Sequence, residues 1–137
     1  MSVVIFDTNV LLDLFVFNDF RAIHLKAGLL EGQFAALATT KTIEEFADVI
    51  SRPLFALDTA SQEKILIEWQ SLSKIISDDS LSPSPWKCQD TDDQVFLDLA
   101  FAHKPCTLIS KDNAVLAFAT RALKEGVKIT ADYTQVL

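Results

Sequence analysis

Residues 3–12 read VVIFDTNVLL, an apolar stretch that is interrupted by three polar residues at positions 7–9. Residues 3–6 are apolar and mostly β-branched, which is typical of a strand that is buried on both faces. A helical pattern of apolar residues begins directly afterwards, at Val10. The stretch therefore predicts a buried strand that leads into a helix, with the carboxylate of Asp7 at the junction.

The composition describes one folded domain. The chain has 137 residues, of which 50% are hydrophobic and 23% are charged, so it can bury a core and is not a disordered chain. We expect a single domain over residues 1–137. The formal net charge of −7 repels polyanions at long range. This excludes a general nucleic-acid coat protein but is compatible with a local site that holds cations.

The cysteines and the apolar runs predict the compartment. Cys88 and Cys106 lack the spacing of a metal site, and we interpret them as free thiols in a reducing cytosol, with a disulfide as the alternative. The N-terminus has no basic segment before an apolar run, and no apolar run approaches the ~18 residues that span a bilayer. We therefore expect a soluble cytoplasmic protein that does not contact a membrane.

Short β-type runs alternate with helical patterns along the chain. Strands are predicted at residues 3–6, 34–38, 74–77, 107–109 and 127–130. Helices are predicted at residues 10–30 with a break near Asn18 and a Gly32 cap, and at 42–51, 61–72, 93–103 and 114–124. Residues 77–92, rich in Ser, Pro and Asp, predict a long loop. The alternation indicates an α/β fold with a doubly wound parallel sheet.

Acidic residues follow the predicted strands or open the predicted helices at four places. They are Asp7, the pair Glu44 and Glu45, the pair Asp92 and Asp93, and Asp112. In a doubly wound sheet, turns from strand to helix lie at the carboxyl edge, and helices that lead back into the sheet start there. We therefore expect these carboxylates to lie along one edge of the sheet.

Helix capping is the alternative explanation for each acid taken alone. Asp7 and Asp112 could be N-caps, and residues 42–45 (TIEE) and 91–94 (TDDQ) match a capping box. Capping gives no reason to gather several carboxylates, because two of them repel by roughly 4 kcal/mol at about 4 Å and an effective dielectric constant near 20. A divalent cation gives that reason, since Mg²⁺ and Mn²⁺ prefer oxygen ligands.

Four blocks carry a family resemblance over most of the chain, from position 3 to about position 129. They are FDTNVLL (6–12), TIEEFADVI (42–50), DTDDQVFLDLA (90–100) and TLISKDNAVL (107–116). In this order and spacing they resemble PIN-domain ribonucleases, above all the bacterial VapC-like toxins of toxin–antitoxin systems. The resemblance implies a PIN-like α/β/α fold with a five-stranded sheet in the order 3-2-1-4-5. It also implies cleavage of single-stranded RNA with one or two Mg²⁺ or Mn²⁺ ions.

The resemblance assigns roles to individual residues. The catalytic and metal-binding acids that it implies are Asp7, Glu45, Asp93 and Asp112. Glu45 would bind a second metal or orient the attacking water, and Glu44 is the alternative at this position. Asp92 is likewise the alternative to Asp93. The polar residues that match supporting positions of the family are Asn9 and Ser110.

Basic and aromatic residues near the predicted edge are candidates for contacts with RNA. The lysines are Lys41, Lys87 and Lys111, and a solvated surface position is the alternative for each. Trp86 could stack on a base or pin the long loop to the core, whereas Trp69 is predicted to lie in the core. The resemblance further implies a homodimer and a cognate antitoxin protein as partners.

Other functions on a doubly wound sheet fit these residues less well. A phosphotransfer receiver domain has an acidic pair after its first strand, where this chain has Asp7 alone. A haloacid-dehalogenase phosphatase has an aspartate at the position of Asn9. A module that keeps the fold and only binds a partner is the alternative to a nuclease, but it has no reason to retain mutually repelling acids. His24 and His103 lack metal-ligand spacing and are predicted to be packing or surface residues.

Overall fold

The fold is a parallel sheet between layers of helices. The computed structural model describes residues 2–136. Its strands are β1 (Ser2–Phe6), β2 (Phe34–Thr39), β3 (Ser73–Ile76), β4 (Cys106–Ile109) and β5 (Val127–Thr130). They form one five-stranded sheet in the order β3-β2-β1-β4-β5, and every neighbouring pair is parallel. The predicted fold class and strand order are confirmed.

The helices follow the strands as the alternation predicts. They are α1 (Thr8–Phe15), α2 (Ile23–Leu30), α3 (Thr40–Ile50), α4 (Thr59–Leu72), α5 (Gln94–Ala102), α6 (Asn113–Leu116) and α7 (Ala119–Leu123). The break near Asn18 is confirmed, because this residue adopts a left-handed φ of 47° between α1 and α2. Gly32 caps α2 as predicted. Its φ of 69° lets the Gln33 N–H donate to the Gly28 carbonyl at 2.9 Å.

The predicted start of α3 is wrong by two residues. The helix begins at Thr40, since Thr39 at the end of β2 is its N-cap. The Thr39 side chain accepts from the Thr42 N–H at 3.1 Å, and the Thr42 hydroxyl oxygen accepts from the Thr39 N–H at 2.9 Å. Thr42 is therefore already inside the helix, and the capping box between Thr42 and Glu45, which was the alternative explanation for Glu45, does not form.

The capping box at residues 91–94, the alternative explanation for the acids there, does not form, because the Gln94 side chain accepts from the Cys88 N–H at 2.7 Å. One further helix prediction is wrong. The expected helix 114–124 is divided into α6 and α7. Between them the Phe118 N–H donates to the Val115 carbonyl, three residues back, at 3.1 Å, which tightens the chain into a turn.

The sheet separates two apolar cores that both use β1. On one face Val4 and Phe6 pack with side chains of α1 to α4, including Phe46 and, as predicted, Trp69. On the other face Ile5 packs with side chains of α5, β4 and β5. These three β1 residues are at most 2% exposed. The end of the strand, where Asp7 follows, is therefore held from both faces.

The long loop after β3 is tied to α5. Trp86 is 2% exposed and packs edge-on against Phe101 with ring centroids 5.3 Å apart. It therefore anchors the loop to the core, and its ring is not available for stacking on a base. The Ser84 N–H donates to Asp98 at 2.8 Å, and the Gln94 amide donates to the Trp86 carbonyl at 2.7 Å. The loop therefore forms a fixed wall beside the carboxyl edge of the sheet.

The two cysteines are not joined in a disulfide. Cys88 and Cys106 are free thiols, as predicted, and Cys106 is buried. Burial raises the pKa of the Cys106 thiol to about 11, so this side chain is inert near neutral pH.

No helix formed by residues 2–136 is both long enough and apolar enough to cross a bilayer.

Candidate metal centre

Three aspartates meet at the carboxyl edge of the sheet. Asp7 follows β1, Asp112 lies between β4 and α6, and Asp93 ends the short 3₁₀ turn Thr91–Asp93 that leads into α5. The Asp7 N–H donates to the Ile109 carbonyl at 3.0 Å, which extends the pairing of β1 with β4 up to the site. One carboxylate oxygen from each aspartate lies within 4.8 Å of the other two. The expected gathering of acids is present for these three residues.

Ser110 connects two of the three aspartates. Its buried hydroxyl donates to Asp7 Oδ2 at 2.6 Å and accepts from the Asp112 N–H at 3.0 Å. Asp112 also caps α6, since its Oδ1 accepts from the Ala114 N–H at 2.9 Å. The Asp7 side chain, by contrast, accepts no capping hydrogen bond from α1. Capping therefore explains the position of Asp112 in part but does not explain Asp7.

Burial and mutual repulsion change the protonation of the cluster. The pKa of Asp93 is raised to about 8, chiefly by burial, then by a hydrogen bond shared with Asp112 and by the charge of Asp7. The pKa of Asp7 is also raised, chiefly by burial, although the Ser110 hydroxyl opposes the rise. Hydrogen bonds from Asp93 and from the Ala114 N–H lower the pKa of Asp112. Without a cation, the pair of Asp93 and Asp112 therefore keeps a proton to higher pH than a separate carboxylate would.

The donor set of the cluster fits a divalent cation. Asp93 Oδ2 is buried and has no hydrogen-bond partner among residues 2–136. A buried acceptor without a partner costs about 1–3 kcal/mol, so the fold alone does not explain this oxygen. An ion among the three carboxylates would satisfy it and offset their repulsion, and Mg²⁺ and Mn²⁺ prefer such oxygen ligands.

The structure separates the members of the two acidic pairs. Glu45 on α3 is partly buried beside the cluster, and its pKa is raised, first by burial and then by the charge of Asp7. Glu44 is exposed. Asp93 is 7% exposed, whereas Asp92 is exposed and outside the cluster. Glu45 therefore borders the site without joining the three oxygens that lie within 4.8 Å of one another.

Asp90 is a further acid at this edge, and it is not among the predicted site residues. Its Oδ1 accepts from the Asp92 N–H at 3.0 Å, so it caps the turn that carries Asp93. Its negative charge contributes to the raised pKa of Asp7, Asp93 and Glu45. The signal was present in the sequence, because an aspartate two residues before an acidic pair is a candidate cap for the turn that contains the pair.

Two of the predicted residues have partners that the sequence does not predict. Asn9 is predicted to support Asp7, but its Oδ1 accepts from the Lys111 N–H at 3.2 Å. The Lys111 ammonium lies 2.7 Å from Oδ2 of Asp13, a carboxylate that is 3% exposed and also accepts from the Tyr133 hydroxyl. These contacts fasten the turn that carries the fourth acid onto α1, and they neutralise the charge of Lys111.

The other two predicted lysines and the histidines lie outside the cluster. Lys41 and Lys87 are exposed, line a common groove, and form no ion pair with another residue of the range 2–136. His103 Nδ1 lies 3.0 Å from the Leu99 carbonyl at the end of α5. Neither His103 nor His24 belongs to the group of possible metal ligands found among the described residues.

The sequence of the chain also matches a known protein family. A family model described as the PIN domain matches residues 3–114 of the chain. The matched range contains all four acids that the sequence analysis singled out, and it ends before β5. No curated protein matches the chain closely enough to show a relationship.

Proposed function

The chain belongs to the PIN domain family, whose members are generally nucleases, and on this premise we propose that it is a metal-dependent endoribonuclease that cleaves single-stranded RNA. The observation that carries the proposal is the convergence of Asp7, Asp93 and Asp112, with one oxygen of each within 4.8 Å of the others. Caps alone have no reason to bring these charges together against their repulsion.

The three aspartates would hold the cation. A bound Mg²⁺ or Mn²⁺ supplies a Lewis acid that activates a water and neutralises charge on the scissile phosphate. Asp93 contributes the oxygen that has no partner within the described chain, and Asp112 contributes the carboxylate whose pKa is lowered. Ser110 fixes Asp7 by donating a hydrogen bond to its Oδ2, so the orientation of this ligand is set before the ion binds.

Glu45 is suited to act on the attacking water. Burial and the charge of Asp7 raise its pKa, which brings its basicity closer to that of an effective general base at neutral pH. Glu45 is partly exposed, and it lies near enough to Asp7 for the charge of that residue to contribute to its raised pKa. We assign it the role of orienting this water and accepting its proton, with binding of a second ion as the alternative.

We further propose that the enzyme is the toxin of a bacterial toxin–antitoxin pair and acts in the cytoplasm. The support is the resemblance of its acidic blocks to VapC-like toxins. Its partners would be the RNA substrate, a cognate antitoxin protein and a second copy of the chain. Induced expression should arrest the growth of a bacterial host, and Asp7→Asn should remove the arrest. Equal growth with both proteins would contradict the toxin role.

Cleavage of single-stranded RNA by purified variants tests the nuclease itself. Asp7→Asn keeps the shape of the side chain and removes one charge from the cluster, so it should abolish cleavage in MnCl₂ while circular dichroism stays unchanged. Asp92→Asn is the matched control, because Asp92 is exposed near the same edge and lies outside the cluster. Full activity of Asp7→Asn, free of host nuclease, would show that Asp7 is not a ligand.

A second matched pair of variants tests the role of Glu45. Glu45→Gln should lower kcat with little change in KM, since the side chain acts on the water and not on the strand. Glu44→Gln, one position earlier and exposed, should have no effect. If the wild type itself cleaves no RNA in Mn²⁺ or Mg²⁺, the catalytically silent partner-binding module becomes the preferred function.

A further inference from the structure

The C-terminal segment, residues 131–136, lies outside the range of the family match, which ends at residue 114. It follows β5, an edge strand of the sheet, and turns at Asp132, whose Oδ1 accepts from the Thr134 N–H at 2.9 Å. Beyond this turn Val136 is buried in the core that contains the apolar side chains of α1. The segment is therefore a folded part of the protein that packs against the helix after Asp7.

Tyr133 in this segment contacts a buried carboxylate of α1. The Tyr133 ring is partly buried against the same core, and its hydroxyl donates to Oδ2 of Asp13. Asp13 is 3% exposed, and its Oδ2 also accepts from Lys111 Nζ at 2.7 Å. Burial and the Asp13 carboxylate raise the pKa of the Tyr133 hydroxyl, so it remains a donor at neutral pH. Asp13 therefore joins the C-terminal segment to the turn after β4.

The turn after β4, residues 110–112, is held at three points. The Ser110 N–H donates to the Thr130 carbonyl at 3.1 Å, at the end of β5. The Lys111 N–H donates to Asn9 Oδ1 at 3.2 Å. The third point is the Lys111 side chain with its bond to Asp13, and it is the one that Tyr133 supports. The next residue along the chain is Asp112.

Asp112 needs this support more than the other two aspartates do. Asp7 and Asp93 are at most 7% exposed, whereas Asp112 is partly exposed and is followed by α6, a helix of four residues. Removal of side chains that hold a metal ligand in place typically lowers metal affinity about 10–100-fold. We propose that Asp13 and Tyr133 are positioning residues of the metal centre, and that the C-terminal segment thereby sets its affinity for the cation.

The inference rests on the proposed metal-dependent function for the identity of the ligand, and its test measures the ion directly. Binding of Mn²⁺ to the purified full chain is followed by electron paramagnetic resonance of the free ion, without RNA and well below the unfolding temperature. Tyr133→Phe removes one donor and keeps the pair of Lys111 with Asp13, so it should raise the Kd for Mn²⁺ by roughly threefold.

Asp13→Asn should have the larger effect on the Kd. It removes the charge that holds the Lys111 ammonium, and that ammonium then becomes an unpaired cation next to Asp112 in the chain. Loss of the fixed turn and repulsion between the freed ammonium and the ion both weaken binding. The Kd for Mn²⁺ should rise by about tenfold or more.

Two controls separate positioning from a general loss of stability. Gly32→Ala strains the turn after α2, outside the network, so it should destabilise the protein and keep the wild-type Kd. The double variant of Asp13→Asn with Tyr133→Phe should have the Kd of Asp13→Asn alone, because Tyr133 acts through Asp13.

The outcomes distinguish this inference from the proposed function. Kd values for Tyr133→Phe and Asp13→Asn that equal the value for Gly32→Ala would overturn the inference and leave the metal centre in place. A full effect of Tyr133→Phe in the Asp13→Asn background would overturn the route through Asp13. A wild type that binds no Mn²⁺ would overturn both, whereas one that binds Mn²⁺ and cleaves no RNA would contradict the nuclease alone.

Discussion

Asp93→Asn should stabilise the protein when no cation is present, and by an amount that grows with pH. Asp93 has one buried oxygen without a partner and lies within 4.8 Å of two other carboxylates. Its side chain makes no capping hydrogen bond to α5, so the substitution removes a charge without removing a cap. The asparagine keeps the shape of the side chain and adds an amide that can donate to Asp7 or Asp112.

The size of the effect follows from the protonation of Asp93. Two ionised carboxylates whose oxygens lie within 4.8 Å of each other repel by at least about 3.5 kcal/mol at an effective dielectric constant of 20. Burial, then the hydrogen bond shared with Asp112 and this repulsion, raise the pKa of Asp93 to about 8, from an ordinary value of 3.8. Between these values the folded state holds a proton that the unfolded chain has lost. The free energy of unfolding therefore falls as pH rises, by at most about 1.4 kcal/mol per pH unit.

The contribution of the Asp93 proton to the free energy of unfolding changes over a defined pH range. It is fully present below about pH 4, decreases as pH rises towards about 8, and is constant above that. Asn does not titrate, so the variant lacks this slope. The free energy of unfolding of Asp93→Asn, minus that of the wild type, should increase by about 1 kcal/mol per pH unit between roughly pH 5 and pH 8.

Urea denaturation in EDTA at several pH values measures the difference. Asp92→Asn is the control, because it removes a neighbouring charge that is exposed and outside the cluster. Its difference from the wild type should be small and nearly independent of pH. A difference for Asp93→Asn that is equally flat would refute the reasoning, since Asp93 would then ionise in the folded protein as it does in the unfolded chain.

The remaining predictions concern the ion, a buried network and a helix end. Mn²⁺ or Mg²⁺ at a hundredfold excess over Kd should stabilise the wild type by about 2.7 kcal/mol, or roughly 10 °C in Tm. Matched NaCl, or replacement of Asp7 and Asp112 by Asn, should give no such rise. Tyr133→Phe removes a donor to buried Asp13 and should lower the free energy of unfolding in urea by about 1–2 kcal/mol; no loss would mean that the hydroxyl is dispensable. Gly32→Ala should lower it by about 1 kcal/mol, because φ is 69° although no atom lies within 4 Å of the added methyl group; an unchanged midpoint would contradict this.

The elements that were predicted well are those whose signal is local. Strand β1 is visible because four apolar residues in a row precede a helical pattern, and β5 agrees with its predicted range of 127–130. The strand order, in contrast, came from the family resemblance, since periodicity does not determine which strands are neighbours. The positions of Asp7 and Asp112 follow from both, because parallel neighbours end at the same edge.

The sequence does not show which of several candidate residues begins or ends a helix. The segment TTKT at residues 39–42 offers three threonines that can cap a helix. Thr39 is the cap because β2 ends at this residue, where it is fully buried and faces Thr42. The division between α6 and α7 has no signal in residues 114–124, which contain neither Gly nor Pro.

Partners of long side chains were the least predictable part of the site, yet one of them had a readable signal. Asp13 lies in the apolar helix α1, four residues after Asn9, so the two side chains lie on one face of the helix. A carboxylate in an apolar helix must find a cation or donors, because an unpaired buried charge is costly. The Lys111 ammonium donates a hydrogen bond to the Asp13 carboxylate, and the Lys111 backbone N–H donates to the Asn9 side chain.

Pairing Lys111 with Asp13 changes which lysines can serve the substrate. A lysine held by a buried carboxylate offers little net charge to a phosphate, and breaking the pair would leave Asp13 buried without its cation, a cost of several kcal/mol. Neither Lys41 nor Lys87 forms an ion pair with another residue of the described chain. Of the three lysines that the sequence proposes for RNA, the two in the groove are therefore the ones that can contact a strand at little structural cost, and Lys111 serves to hold the turn that carries Asp112.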